Sequence, residues 1–149
     1  MRLRSLIPFA KRRNDKQIPS DEDDMHIYRS VAAKPLVMVT VLGVKSDLLD
    51  EIIQTTSRKF EPKHRLVFLT DSSEFGIFRS NGAIFEYFPP LLEQRLHAAV
   101  MPWPEYLTER WALLVAKWRP IHIIAYGQNI DGFLAAALSS VDQTPVRGT

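Results

Sequence analysis

One stretch, residues 35–43 with the sequence PLVMVTVLG, constrains the fold of this chain more than any other. It is a nearly unbroken apolar run, rich in β-branched residues, that ends on a glycine. A run of this kind predicts a strand buried on both faces, as in the middle of a parallel sheet. An interior strand needs neighbours that run in the same direction on either side, and the rest of the chain is expected to supply them.

The segments after this strand alternate between helical and strand-like patterns. Three more apolar runs bounded by turn residues predict strands, and four segments with helical periodicity lie between and after them. The alternation predicts an α/β fold, a Rossmann-like three-layer α/β/α half-domain whose four-stranded parallel sheet has the order 3-2-1-4. The predicted strands are residues 35–43, 64–71, 83–88 and 121–126, and the helices are residues 48–60, 74–80, 91–118 (broken at its prolines) and 132–141.

Charge divides the chain into a leader and a body. Residues 1–17 carry six basic side chains and one acidic side chain, whereas the whole chain has a net charge of only +2. Residues 1–33 are therefore interpreted as a disordered leader, with a basic arm that contacts an anionic membrane or an acidic partner as the alternative. Residues 34–142 form the predicted domain and residues 143–149 a tail. The mildly acidic body gives no reason to expect nucleic-acid binding.

Several classes of site are excluded by composition. The chain has no cysteine, so disulfides, thiolate zinc sites, iron–sulfur clusters and a cysteine nucleophile are excluded. The four histidines do not pair at metal-binding spacing, and we expect no metal or cofactor. No apolar run approaches the roughly 20 residues of a membrane span. We expect a cytoplasmic protein that is not exported.

In open parallel sheets, ligands bind beyond the carboxyl ends of the strands, where the winding reverses. That position predicts a site between the first and fourth strands, with Asp71 and Ser72 of the second strand on the same rim. Loops that lead into helix N-termini there offer free N–H groups for an anion. For Asp71 a helix cap is the simpler interpretation, and for Lys45 a solvated side chain. The predicted ligand-binding residues are Gly43, Lys45, Ser46, Asp71, Ser72, Gly127, Gln128 and Asn129.

The local capping predictions are separate from the ligand site. Ser46 or Asp47 is expected to cap the first helix, and Asp131 the last. The two serines after Asp71 are expected to cap the short second helix.

No catalytic motif is complete in this sequence. The dinucleotide signature GxGxxG, the P-loop and the GxSxG elbow are all missing, so no catalytic residue is assigned. Trp111 and Trp118 have the spacing of a packed helix face. Trp103 lies between two prolines, a rigid kink that is expected to present the ring outward as an anchor for a partner.

A family resemblance rests on the opening VTVLGV, the helix after it, and the run FRSNGAIFEYFPP. In these features residues 35–141 resemble the N-terminal, acceptor-side half of GT-B glycosyltransferases. The resemblance implies a sugar- or nucleotide-linked ancestry and a second protein subunit.

Two functional hypotheses follow. The first is a glycosyltransferase-like accessory or partial subunit that binds a nucleotide or glycan, such as a sugar nucleotide, and has no independent catalysis. The alternative is a non-enzymatic interaction module, which forms a homodimer or binds another protein through its sheet edge or its kinked helix.

Overall fold

The computed structural model describes residues 33–138 of the chain. The predicted leader, with its possible membrane contact, and the predicted tail lie outside the described residues, apart from position 33. The strands are β1 (Leu36–Leu42), β2 (Arg65–Thr70), β3 (Phe85–Tyr87) and β4 (His122–Gly127). The helices are α1 (Ser46–Phe60), α2 (Phe75–Ser80), α3 (Leu91–Leu96), α4 (Trp103–Trp118) and α5 (Ile130–Ala135).

The four strands form one parallel sheet in the order β3-β2-β1-β4. At its centre Val39 lies between Phe68 of β2 and Ile124 of β4. All seven residues of β1 are buried, because the strand has a neighbour on each side and helices over both faces. The predicted Rossmann-like α/β fold and its strand order are confirmed.

Alternate residues of β1 belong to two different cores, since successive side chains point to opposite faces of a sheet. Val37, Val39 and Val41 pack with Leu49 of α1 and Phe78 of α2. On the other face, the core residues come from β1, β2, α4 and α5: Leu36, Met38, Leu42, Val67, Leu69, Leu107, Leu114 and Phe133. The molecule is therefore layered as α1 and α2, the sheet, and then α4 and α5.

The predicted environment of Trp103 was wrong, because this tryptophan, the first residue of α4, is buried in the core. It begins α4 one turn before Leu107, so both side chains lie on the same, inward helix face. Its indole N–H donates a hydrogen bond to the backbone carbonyl of Gln94 at 2.8 Å. A ring held in this way is not presented to a partner. Trp111 and Trp118 pack against the core as predicted.

Gln94 in α3 is buried and joins separate parts of the chain. Its side-chain amide donates to the carbonyl oxygen of Pro89 at 3.0 Å, and its side-chain oxygen accepts from the backbone N–H of Leu138 at 3.0 Å. With the bond from Trp103, this residue connects the segment before α3, the start of α4 and the segment after α5.

The helix caps differ from the predicted ones. Lys45 occupies the N-cap of α1, and no side chain caps that helix. Asn129, rather than Asp131, caps α5, and its Oδ1 accepts from the backbone N–H of Gly132 at 2.7 Å. Glu74 occupies the N-cap of α2, which has no side-chain cap. Of the three helices with a predicted cap, only α5 has a side-chain cap hydrogen bond.

Candidate functional site

The gap expected between the ends of β1 and β4 is filled by the backbone of the protein itself. Gln128 donates its backbone N–H to the carbonyl oxygen of Leu42 at 2.8 Å, and the two residues form an antiparallel bridge. Gly127 adopts a φ of +73°, and a Cβ at this position would lie 2.4 Å from the same carbonyl oxygen. The predicted location of the crevice was wrong, because the chain after β4 bonds back onto the end of β1.

An open depression lies instead between the ends of β1 and β2. Its volume is about 370 Å³, and it is formed by the turn from β1 into α1 and the loop after β2. Five of the eight predicted residues lie together here, whereas Gly127, Gln128 and Asn129 are not among its lining residues. The lining consists of Gly43, Val44, Lys45, Ser46, Asp71, Ser72, Ser73 and Glu74.

Asp71 is the residue that joins the two sides of this depression. One carboxylate oxygen, Oδ1, accepts a hydrogen bond from the backbone N–H of Gly43 at 3.0 Å. Burial raises the pKa of Asp71 above its ordinary value, and the hydrogen bond from Gly43 opposes that rise. The helix-cap interpretation of Asp71 was wrong, since its carboxylate accepts from the β1–α1 turn rather than from the N-terminus of α2.

The loop after Asp71 is held by short-range hydrogen bonds. The backbone N–H of Ser72 donates to Oγ1 of Thr70 at 3.0 Å, and Oγ of Ser72 accepts from the backbone N–H of Glu74 at 3.2 Å. These bonds fix the loop conformation without consuming the hydroxyl proton of Ser72, which stays available as a donor.

The opposite wall carries hydrogen-bond donors. The N-terminus of α1 has no side-chain cap, and the first N–H groups of a helix lack acceptors within the helix. Lys45 and Ser46, which carry an ammonium group and a hydroxyl, line the depression at the same wall. The depression therefore combines donors on the α1 side with carboxylates, from Asp71 and Glu74, on the other.

Tyr87, at the end of β3, is a nearby polar residue that sequence reasoning missed. Its hydroxyl donates to the carboxylate of Glu93, and its ring meets Phe75 edge-on. Burial and the Glu93 carboxylate raise the pKa of Tyr87, and the charge of Asp71 adds to this effect. The sequence signal for its position was the alternation of FEY in β3, which places Tyr87 on the same face of the sheet as Phe85.

Neither a metal cluster nor a membrane-spanning helix is found between positions 33 and 138. Within that part, no group of three or more histidine, aspartate or glutamate residues could hold a metal ion. None of the described helices has the length and apolar character needed to cross a bilayer.

Comparison with known proteins gave one structural likeness. No family model matches the chain, and no curated protein matches it. Among solved structures, it is similar to formyltetrahydrofolate deformylase from Burkholderia mallei, at 17% sequence identity and a TM-score of 0.42. The alignment covers 66% of this chain and 32% of the deformylase, so the chain spans about a third of the length of that protein.

The resemblance to GT-B glycosyltransferases was wrong, because the solved structure found to be similar is a deformylase instead. The sequence features behind that resemblance, an apolar first strand and a glycine turn, occur in Rossmann-like folds generally. The likeness to the deformylase is itself too distant to bring an activity to this chain.

Proposed function

We propose that the depression between β1 and β2 binds a nucleotide or a similar ligand with sugar hydroxyls and an anionic group. The chain acts there as a binding protein without independent catalysis. The observation that carries the proposal is the position of the Asp71 carboxylate, at the end of β2 and fixed against the turn that follows β1.

The carboxylate suits a sugar because it is an acceptor for hydroxyl groups. In Rossmann-like nucleotide sites an acidic residue beyond the second strand accepts hydrogen bonds from ribose hydroxyls. Asp71 uses Oδ1 for the bond from Gly43, and no other residue of the described part of the chain donates a hydrogen bond to its second oxygen, Oδ2. That oxygen is free to accept from a ligand.

The ionisation of Asp71 supports a role beyond the local fold. A neutral asparagine could accept the same hydrogen bond from Gly43, and it would not carry a charge that burial disfavours. Burial raises the pKa of Asp71, so the ionised form is less stable here than in water. A side chain that is unfavourable for folding fits a binding role better than a structural one.

The α1 wall supplies the complementary half of the site. α1 has 15 residues, and its uncapped N-terminus presents backbone N–H groups and the positive end of the helix dipole. Lys45 lines the same wall and contributes a positively charged side chain. A phosphate at this wall and a ribose beside Asp71 would use both kinds of group.

Calorimetric titration of the full chain tests the proposal. The panel is adenosine, AMP, UDP, UDP-glucose and ribose 5-phosphate. Comparison of these ligands separates the contributions of the base, the sugar and the phosphate to binding. At least one phosphate-bearing ligand is expected to bind. Asp71→Asn and Lys45→Ala should each weaken that binding by about 10- to 100-fold, the range for a hydrogen bond to a charged group.

Two variants outside the depression serve as controls. Asp131→Asn removes an exposed carboxylate from the first turn of α5, and Lys63→Ala removes an exposed ammonium group near the end of α1. Both should bind like the unaltered chain. Absence of binding across the panel at millimolar ligand, or binding that Asp71→Asn leaves unchanged, would overturn the proposal.

A further inference from the structure

The outer edge of β4 has no strand beside it within residues 33–138, where β4 pairs with β1 alone. This edge is six residues long and its sequence, HIIAYG, contains no aspartate, glutamate, lysine or arginine. Ile123 is 45% exposed there. Natural edge strands are ordinarily shortened, charged or interrupted by proline, because an open edge is a template for pairing with another chain.

The backbone of β4 offers a regular set of donors and acceptors along this edge. In a parallel pair, alternate residues direct both their N–H and their C=O groups toward one neighbouring strand. Gln128 donates its N–H to Leu42 of β1 at 2.8 Å, and in the register of the β1–β4 pair Tyr126 and Ile124 face β1 in the same way. The intervening residues, Ile123 and Ala125, direct both backbone groups outward.

We propose that β4 pairs with β4 of a second copy of this chain, antiparallel, about a two-fold axis at Ile124. Ile123 then lies opposite the partner's Ala125, and the two residues exchange both backbone hydrogen bonds. Ile124 lies opposite the partner's Ile124 on the two-fold axis, between the two hydrogen-bonded pairs. His122 lies opposite the partner's Tyr126 in the same register. The two sheets become one continuous sheet.

A second copy fits this edge because two-fold pairing requires a strand to complement itself. The uncharged sequence of β4 sets no like charges opposite each other in the antiparallel register. The side chains also complement each other in size, since the large Ile123 meets the small partner's Ala125. On the other face the partner's Tyr126 meets His122, a pair of planar rings. This inference does not depend on ligand binding.

The first test measures the mass of the full chain in solution by light scattering and analytical ultracentrifugation across a concentration series. We expect a dimer that dissociates on dilution. Ile123→Lys should weaken dimerisation at least tenfold, because it places a charge opposite the partner's Ala125. The matched control is Ile84→Lys, since Ile84 is 48% exposed and lies next to β3, at the other end of the sheet.

The second test reads the register directly, and it uses the absence of natural cysteines. Directly opposite residues of a hydrogen-bonded antiparallel pair have Cα atoms about 5.5 Å apart, within the range of a disulfide. A mixture of the Ile123→Cys chain with the Ala125→Cys chain should therefore form a covalent heterodimer on mild oxidation. Each of the two chains alone should cross-link much less.

Three results would overturn the proposal. A monomer at every concentration excludes the dimer, and assemblies that grow beyond two chains exclude the two-fold axis. A dimer that Ile123→Lys and Ile84→Lys affect equally is formed by another surface. Both cysteine substitutions are small changes on an exposed strand, so cross-linking stays informative if the lysine variants fold poorly.

Discussion

The two halves of the sheet, on either side of β1, are open at different places. On the β2–β3 side the rim of the sheet is open, with the depression around Asp71, and the outer edge is protected. On the β4 side the rim is closed by Gly127 and Gln128, and the outer edge is free of any described strand. One strand thus separates the half proposed to bind a small ligand from the half proposed to pair with another chain.

The protection of the β3 edge has identifiable causes. β3 has three residues and is followed by two prolines, which have no N–H to donate. Its central residue, Glu86, accepts a hydrogen bond from Nε1 of Trp118 at 2.8 Å and forms an ion pair with Lys117 at 2.6 Å. A short edge that is tied to α4 is a poor template for pairing, in contrast to the longer, uncharged β4.

The largest expected effect on stability comes from adding a side chain at Gly127, in the closed rim beside β4. Gly127→Ala should lower the free energy of unfolding by about 3 kcal/mol, because it combines a positive φ with a Cβ 2.4 Å from the Leu42 carbonyl oxygen. Chemical denaturation measures this loss. Gly76→Ala is the control, since nothing lies within 4 Å of its Cβ position in α2. Equal stability of Gly127→Ala and the unaltered chain would show that this rim is less tightly closed than described.

An intermediate effect is expected at the protected β3 edge. Glu86→Gln removes the ion pairs with Lys117 and Arg110 and should cost about 1 kcal/mol of stability at neutral pH. Although burial alone would raise the pKa of Glu86, hydrogen bonds from Lys117 and Trp118 lower it below its ordinary value of 4.5.

The pH dependence of that effect follows from its sign. A carboxyl group with a lowered pKa in the folded state contributes stability above pH 4.5, and this contribution is lost as the pH falls through the folded value. The free energy of unfolding, measured at pH 7 and at pH 3, should therefore differ between the unaltered chain and Glu86→Gln, and this difference should be smaller at pH 3. The control Glu109→Gln changes an exposed side chain on α4, and its free energy of unfolding should match that of the unaltered chain at both pH values. A difference in the free energy of unfolding that is larger at pH 3 than at pH 7 would contradict the stabilising role given to the Glu86 ion pairs.

The smallest effect on stability is expected at the open β1–β2 rim. The pKa of Asp71 is raised by burial, so its contribution to stability is greatest in acid and declines as the pH rises through the folded value. Asp71→Asn should therefore be no less stable than the unaltered chain at pH 7, within about 1 kcal/mol. Thermal unfolding at pH 7 measures this. A large loss of stability would assign Asp71 a structural role instead.

The architecture was predictable because its signals are local and repeated. Seven consecutive buried residues in β1 require neighbours on both sides, and the alternation of helices and strands determines their direction. The identities of Asp71 and Lys45 as rim residues follow from the same logic, since each lies just beyond the end of a strand.

The closure of the other rim could not be predicted in the same way. It depends on one hydrogen bond between Gln128 and Leu42, which are distant in sequence and carry no shared motif. The orientation of Trp103 depended on where α4 begins, and the prolines on both sides allowed either direction. A glycine at the end of β4 was the only available sign of a close backbone approach at that position. The interaction-module hypothesis stays a prediction, now without Trp103 as its anchor.

The buried amide of Gln94 has a consequence for the outer surface of α3. That helix has only six residues, too few to be stable alone, yet its inner side is bound to three other segments. Leu92 and Leu96 on its outer side are thereby held in place although they are exposed to solvent. A molecule that contacts these leucines meets a helix backbone that is already fixed, so the conformational entropy lost on contact comes mainly from the leucine side chains.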